Sequence, residues 1–418
     1  MTPPRAEAGQ PAGWAESLFT GAAGVAVLHV ERARTGAAGW DTAHTWTAAM
    51  TRDPVTAHPD ASGLHRGAPA VAFALHLAGR PGYAAALATL DEHINDLTRQ
   101  RLTRAHQRID AGQLPALGEY DLIRGLTGIG VYLLCRHPGS QLLSAVLSYL
   151  VRLTEPVTVG GRTLPGWWTG HAPDDRPSLR WPGGHANLGL AHGVAGPLAL
   201  MSVALHDRVV VSGQADAIAR ICWWLDQWSV DARTGTDGVW WPETITAAEL
   251  RTGVTRQPGP GRPSWCYGTP GIARAQQLAG QALADPERRR RAEHALAACL
   301  HDEKQLSQLR DATVCHGWAG LLLTVWRTAA DAADPDRFPL RALGIRLDED
   351  LRRRGHPDGA GLLEGVTGVE LVQHTLAAQH PSRPRWDSCL LLAGPDDPPD
   401  APARPGPALH GHPATGDP

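Results

Sequence analysis

Three residues of this sequence have the types and the spacing to hold a metal ion: Cys266, Cys315 and His316. They lie in two short strings, Trp265-Cys266-Tyr267-Gly268 and Val314-Cys315-His316-Gly317, in each of which a cysteine stands two residues before a glycine. Two thiolates and an imidazole are donors that Zn2+ favours. Three protein ligands leave a fourth tetrahedral position for water or substrate, which is the pattern of a catalytic rather than a closed structural site. The blander reading makes both cysteines small buried packing residues and His316 a helix cap. Matched placement before equivalent glycines favours one zinc ion per chain.

His192, in Gly189-Leu190-Ala191-His192-Gly193, directly precedes its glycine as His316 does. A histidine beside such a centre titrates near neutrality and suits acid/base work. Asp121, four residues before Gly125, could orient an imidazole or simply cap a helix, and residue type alone favours the cap. Arg262, four residues before Cys266, and Tyr267 could anchor a substrate carbonyl or carboxylate, or pack and bridge loops. The residues themselves leave those two readings even. Cys135, Cys222, Cys299 and Cys389 have no such context and read as packing residues.

The elements that must position these groups form a repeat. Seven tetrapeptides begin at Gly21, Gly67, Gly125, Gly193, Gly268, Gly317 and Gly365, six ending in glycine and the second in Ala70. Their spacings of 46, 58, 68, 75, 49 and 48 residues each admit a helical hairpin. Apolar runs of helical rather than alternating order follow, such as Leu321-Leu322-Leu323-Thr324-Val325-Trp326. These predict buried inner helices. More polar stretches such as 285–300 predict outer helices, with Arg288 to Arg291 on a solvated face. Glycine at a helix start removes Cβ where backbones crowd and leaves the first amides free. Closing seven hairpins into an all-α toroid gives every inner helix two neighbours; an open superhelix is the alternative.

Residues 154–184 depart from the pattern. Val157-Thr158-Val159, the turn Gly160-Gly161 and several prolines predict a strand-and-loop insertion. The expected organisation is a flexible tail over 1–13, one toroid domain over 14–393 carrying that insertion, and a disordered Pro-rich tail over 394–418. A net charge of −3 gives no field to attract nucleic acid or an anionic membrane. The start of the sequence lacks a signal-peptide core, and no stretch is apolar for eighteen residues. The expectation is a cytoplasmic protein with no transmembrane segment. Six sparse cysteines in a reducing compartment point to ligands rather than a disulfide scaffold.

Three strings, in this order, resemble the lanthionine synthetase C (LanC) family of lanthipeptide cyclases: Gly-Leu-Ala-His-Gly at 189–193, Trp-Cys-Tyr-Gly-Thr-Pro-Gly at 265–271 and Cys-His-Gly-Trp-Ala-Gly at 315–320. Residues 120–128 and the start at Leu363-Glu364-Gly365 are similar to that family's repeats as well. The resemblance implies a seven-hairpin α/α toroid and zinc on Cys266, Cys315 and His316. It also implies an acid/base role for His192 and supporting roles for Asp121, Arg262 and Tyr267. The implied reaction is Michael-type addition of peptide cysteine to dehydroalanine or dehydrobutyrine. The implied partners are a dehydrated precursor peptide with its leader, and the dehydratase and exporter of a membrane-associated complex to which the protein would attach peripherally. Rival readings are a LanC-like enzyme that adds glutathione to dehydrated residues and a non-catalytic peptide-binding scaffold. A terpenoid or prenyl-transfer toroid is disfavoured, since no Asp-rich substrate motif is present.

Overall fold

Each of the seven glycine starts launches a helix. The computed structural model describes residues 13–231, 238–378 and 385–393. The inner helices are α1 (Ala22–Arg34), α3 (Ala68–Ala78), α5 (Leu126–Arg136), α7 (Ala195–His206), α9 (Thr269–Ala282), α11 (Trp318–Asp331) and α13 (Val366–Ala377). Between them run the outer helices α2 (Trp40–Met50), α4 (Ala84–Asp110), α6 (Gln141–Leu153), α8 (Gln214–Gln227), α10 (Pro286–His301) and α12 (Leu340–Arg354). Three further helices of four to six residues, Leu117–Tyr120, Ala247–Thr252 and Glu303–Leu306, lie in the connections.

The glycine pattern has a steric cause. Before each inner helix the chain folds back over the helix's first turn, and a Cβ on the second glycine would collide with the backbone that crosses it. Gly128 would strike the Leu122 carbonyl, Gly271 that of Trp265 and Gly320 that of Val314. The crossing residue stands three before the first glycine. It is apolar and fully buried in all seven repeats: Leu18, Leu64, Leu122, Leu190, Trp265, Val314 and Leu362. Burying such a side chain is worth about 1.5–3 kcal/mol, so one fold-back anchors each repeat to the core.

Backbone hydrogen bonds then join each fold-back to the next. Leu18 N–H reaches His65 O at 3.0 Å, Leu122 reaches Ala191 at 3.1 Å and Leu190 reaches Cys266 at 3.0 Å. Cys266 N–H reaches Cys315 O at 3.3 Å, Cys315 reaches Leu363 at 2.8 Å, and Leu363 returns to Phe19 at 3.2 Å. Between the second and third repeats the link is a side chain, Arg101 of α4, which donates to the Ser62 and Arg124 carbonyls. The ring is closed, with α13 packed on α1, Arg32 paired with Glu370 at 3.2 Å and Thr35 Oγ1 2.9 Å from His374 Nε2. This is an α/α toroid.

The two longest spacings hold small strands. β1 (Val157–Val159) and β2 (Arg162–Leu164) form a hairpin whose turn residues, Gly160 and Gly161, both take positive φ. That is the geometry of a two-residue hairpin turn. A second strand-bearing stretch precedes α9, with β4 (Val230–Asp231), β5 (Val239–Trp240) and β6 (Thr244–Thr246), and β6 pairs with β3 (His185–Asn187). The β1–β2 hairpin stands where Val157-Thr158-Val159 and Gly160-Gly161 predict a strand and a turn, whereas the strands of two and three residues between 230 and 246 carry too little alternation to be read from sequence.

Two further observations refine the expectations. Arg288 pairs with Asp226 at 2.8 Å and Arg289 donates to the Asp331 carbonyl at 2.7 Å, so the arginine run of α10 is only partly a solvated face. After α13, the short 3-10 segment Trp386–Leu390 is buried among α5, α9, α11 and α13, and therefore lies inside the ring. The expected tails, 1–13 and 394–418, fall outside the described residues except for Gly13.

Candidate metal centre

The fold-back register decides which side chains meet. Position −2 from the first glycine carries Phe19, His65, Ile123, Ala191, Cys266, Cys315 and Leu363, and position −1 carries Thr20, Arg66, Arg124, His192, Tyr267, His316 and Glu364. The fifth and sixth repeats are neighbours, so their −2 cysteines and the −1 histidine converge. The ligand atoms of Cys266, Cys315 and His316 all lie within 4.8 Å of one another. Both cysteines are buried and His316 is half-buried. A hydrogen bond shared with Cys315 draws the Cys266 thiol down to about 7. The same bond, together with burial, pushes Cys315 up. Two buried sulfurs and a nitrogen at this separation fit a small soft cation, with one thiol already poised to lose its proton. Asp311 Oδ2 stands 3.4 Å from His316 Nε2, the carboxylate–histidine arrangement that fixes a ligand ring.

The second half of the site lies on the preceding two repeats. His192 Nδ1 is 2.6 Å from Asp121 Oδ2, with Asp121 fully buried and the imidazole about one-third exposed. The other carboxylate oxygen, Oδ1, accepts the Arg124 and Gly125 amides at 2.6 and 2.8 Å. Asp121 therefore closes the turn that leads into α5 with one oxygen and contacts the histidine with the other. Leu190 and Ala191, the two residues before His192, both donate their amides to the Cys266 carbonyl, which sets the two halves side by side.

The same turn-closing bond from position −4 recurs around the ring. The Thr20 amide donates to Ser17 Oγ, that of Tyr267 to Ser264 Oγ and that of His316 to Thr313 Oγ1. Ser264 Oγ also lies 3.5 Å from Cys266 Sγ.

Arg262 and Tyr267 meet the same centre by different routes. The Arg262 guanidinium sits close enough to both thiols to lower their pKa, and its Nε is buried with no hydrogen-bond partner. Tyr267 Oη accepts from Asn187 Nδ2 at 2.8 Å, and burial pushes its hydroxyl up. A Cβ on Gly189 would fall 2.7 Å from both the Tyr267 ring and the Cys266 carbonyl. Glycine in that string thus serves close packing. A cavity of about 450 Å3, lined by Asp311, His316, Asp350, Arg354, His356 and Glu364 among others, opens beside the His316 ligand.

Asp311, Ser264, Asn187 and His65 belong to this neighbourhood and were not singled out from the sequence. Asp311 and Asn187 each stand six residues before their glycine, as Arg262 does, so the register itself was the signal. His65 occupies the −2 place of the two cysteines. It is fully buried, the Cys389 backbone is its polar neighbour, and desolvation lowers its pKa to about 4. The remaining cysteines are ordinary: burial pushes Cys222 up to about 12 and raises Cys299 and Cys389 as well. No helix among the described residues is long and apolar enough to cross a membrane.

A family model described as "Lanthionine synthetase C-like protein" matches residues 14–391. The chain is similar to the "Nisin biosynthesis protein NisC" of Lactococcus lactis subsp. lactis, with 25% identity over 259 residues, 61% of this chain and 60% of that protein. The match thus spans less than two thirds of that relative. Among solved structures the chain is similar to "Nisin cyclase", with a TM-score of 0.73 and 22% identity over 91% of this chain and 93% of the other. At that identity the likeness shows the fold.

Proposed function

The chain belongs to the lanthionine synthetase C-like family, and on that premise we propose that it is a zinc-dependent lanthipeptide cyclase acting in the cytoplasm as one toroid unit over 14–393. Its substrate is a dehydrated precursor peptide with its leader, supplied by a dehydratase and passed on to an exporter. Supporting the reading is the convergence of Cys266, Cys315 and His316 beside an imidazole that Asp121 holds in place.

Cys266, Cys315 and His316 would hold the ion. When bound, zinc would keep a peptide thiol, ordinarily protonated below a pKa of about 8.5, as a thiolate at neutral pH. The reaction joins that sulfur to the β-carbon of dehydroalanine or dehydrobutyrine, moves the C=C pair toward the adjacent carbonyl, and adds a proton at the α-carbon. S–H is added across the double bond and the mass is unchanged.

Each remaining residue answers one demand of that step. With Nδ1–H donated to Asp121, His192 has Nε2 free to carry the proton and deliver it to the α-carbon. The unpartnered Arg262 Nε can steady the negative charge that develops on the carbonyl oxygen. Tyr267, braced by Asn187 and packed under Gly189, shapes the wall against which the peptide lies. The cavity beside His316 is the route by which the peptide arrives.

The test is a dehydrated, cysteine-containing peptide incubated with the purified protein, then alkylated and weighed. Ring closure protects the thiol from alkylation, and zinc is counted on the same sample. One zinc per chain and metal-dependent loss of alkylation are expected. Undiminished alkylation by a zinc-loaded chain would overturn the cyclase reading.

A further inference from the structure

The seventh repeat differs from the other six: among the described residues no outer helix follows α13, and the next described segment, 385–393, lies inside the ring. Residues Trp386–Ala393 are all buried, Asp387, Cys389, Leu390 and Leu392 completely. Their polar contacts reach around the ring. Trp386 Nε1 donates to Thr375 Oγ1 of α13 at 2.8 Å, and Asp387 is paired with the buried Arg327 of α11, its Oδ1 2.9 Å from NH2. Cys135 Sγ of α5 lies 3.4 Å from Ser388 Oγ, and Arg274 Nε of α9 donates to the Leu392 carbonyl at 2.8 Å. Trp265 Nε1, at the fold-back before α9, donates to the Leu390 carbonyl at 2.9 Å. The backbone of Cys389 faces His65 at the second fold-back.

Three of the tied helices, α5, α9 and α11, are those launched from Asp121, from Cys266 and from Cys315 with His316. Thr375, Arg327 and Cys135 are each the tenth residue of their helix, whereas Trp265 and His65 belong to the fold-backs above. The segment therefore starts at the far end of the helices with Trp386–Ser388 and rises to the level of the fold-backs at Cys389 and Leu390. It is an internal strap that fills the space beneath the ligands.

We propose that the strap Trp386–Ala393 is the floor of the reaction chamber, and that Trp265, bonded to it, is a positioning residue that fixes the direction in which Cys266 leaves the backbone. Cys266 is already held by its amide to Cys315 and by its carbonyl to Leu190. Those bonds place its Cα. The adjacent indole, fully buried and tied to the strap, sets the rotation of the peptide about that point. A ligand must be held to within about 0.5 Å for tight metal binding, so loosening this tie is read out at the metal.

The inference rests on the metal reading above, and its test separates the two. Metal-free chains of the wild type, Trp265→Phe, Leu147→Ala and Cys315→Ala are titrated with Co(II) alone, and the sulfur-to-cobalt absorption is followed. Trp265→Phe keeps an aromatic ring and removes the bond to the strap together with part of a fully buried indole's volume. Leu147→Ala opens a cavity in outer helix α6, where Leu147 is fully buried, and controls for stability at a temperature where circular dichroism finds both folded. Wild type and Leu147→Ala should take one Co(II) with equal affinity and identical spectra. Trp265→Phe should bind about tenfold to a hundredfold more weakly, the range for losing support behind a metal ligand, with a shifted thiolate band. Ending the chain after Ala393 should change nothing, whereas ending it at residue 384 should abolish the thiolate band. Wild-type affinity and spectrum in Trp265→Phe would overturn the strap's role. Unchanged Co(II) binding by Cys315→Ala would instead overturn the metal assignment, and the strap's role with it.

Discussion

The third and fourth repeats and the fifth and sixth repeats use one backbone device to present two kinds of side-chain cluster. In all four a fold-back crosses the first turn of an inner helix, and positions −2 and −1 face the same end of the ring. On the fifth and sixth those positions hold Cys266, Cys315 and His316, buried or half-buried and mutually close. On the third and fourth the working group is a −1 histidine, about one-third exposed and held by an aspartate from −4. The candidate ligands are enclosed, where the hydrogen bond between the two thiols favours the Cys266 thiolate against the desolvation that opposes it. The imidazole stays partly open, where it can exchange protons with substrate and solvent. Scaffold geometry is common to both pairs, and the residue at each register place assigns the task.

The sharpest way to break this comparison is to remove one ligand. Cys315→Ala should abolish stoichiometric zinc and, with it, thioether formation, measured by elemental analysis and by the alkylation assay. Full zinc retention would mean that the sulfurs are packing residues and that the two pairs of repeats do not differ as described. The converse change, His192→Asn, should leave zinc at one per chain and slow ring closure by about 10²–10⁴-fold, the usual contribution of a positioned acid or base. Equal loss of zinc in both variants would merge the two halves into one structural unit.

Much of this arrangement was legible in the sequence because it depends on glycine. A collision with crossing backbone admits no other residue at Gly128 or Gly320, so the repeat had to appear as a pattern. The ligands stood beside those glycines and inherited the pattern's visibility. Asp311 and Ser264 share that register, at six and four places before their glycines, but their contacts with His316 and Tyr267 appear only in the folded turn; the segment that joins Trp265 to a residue 125 positions away had no marker at all. Contacts made by closure of the ring leave no local periodicity. The two readings of Asp121 are compatible in geometry because a carboxylate has two oxygens: one accepts the Arg124 and Gly125 amides and the other faces His192.

His65 offers an intermediate test, because it holds the cysteines' register place without being a ligand. Its imidazole is fully buried and titrates near 4, against 6.5 when exposed, with Asp121, His192 and the Cys389 backbone as its electrostatic neighbours. Between those values the unfolded chain binds the extra proton. Stability is therefore whole above pH 6.5 and declines as pH falls toward 4, by about 3 kcal/mol from this residue alone. Denaturant titrations of wild type and His65→Leu across that window should diverge by about this amount, the variant losing less. His76 and His185, also lowered to about 4, contribute to both proteins and cancel in the difference. Parallel curves would show that His65 is already charged in the folded chain.

The smallest expected effect bears on the residue that joins scaffold to chemistry. Asp121→Asn retains an oxygen to accept the Arg124 and Gly125 amides, so the turn that leads into α5 stays closed. It replaces Oδ2 by an amide that donates, and His192 Nδ1 must then accept, leaving its proton on the wrong nitrogen or turning the ring away. Stability should be nearly unchanged, while ring closure slows by about tenfold to a hundredfold, as when a carboxylate that orients a histidine is lost. Asp121→Ala removes both functions and should add a loss of about 1–3 kcal/mol for the amides left without an acceptor. Thermal melts and rates measured on the pair therefore separate the aspartate's two oxygens. If Asn and Ala slow the reaction equally and destabilise equally, the orienting and turn-closing roles are not divided between them, and the fourth repeat's histidine is positioned by the fold-back alone.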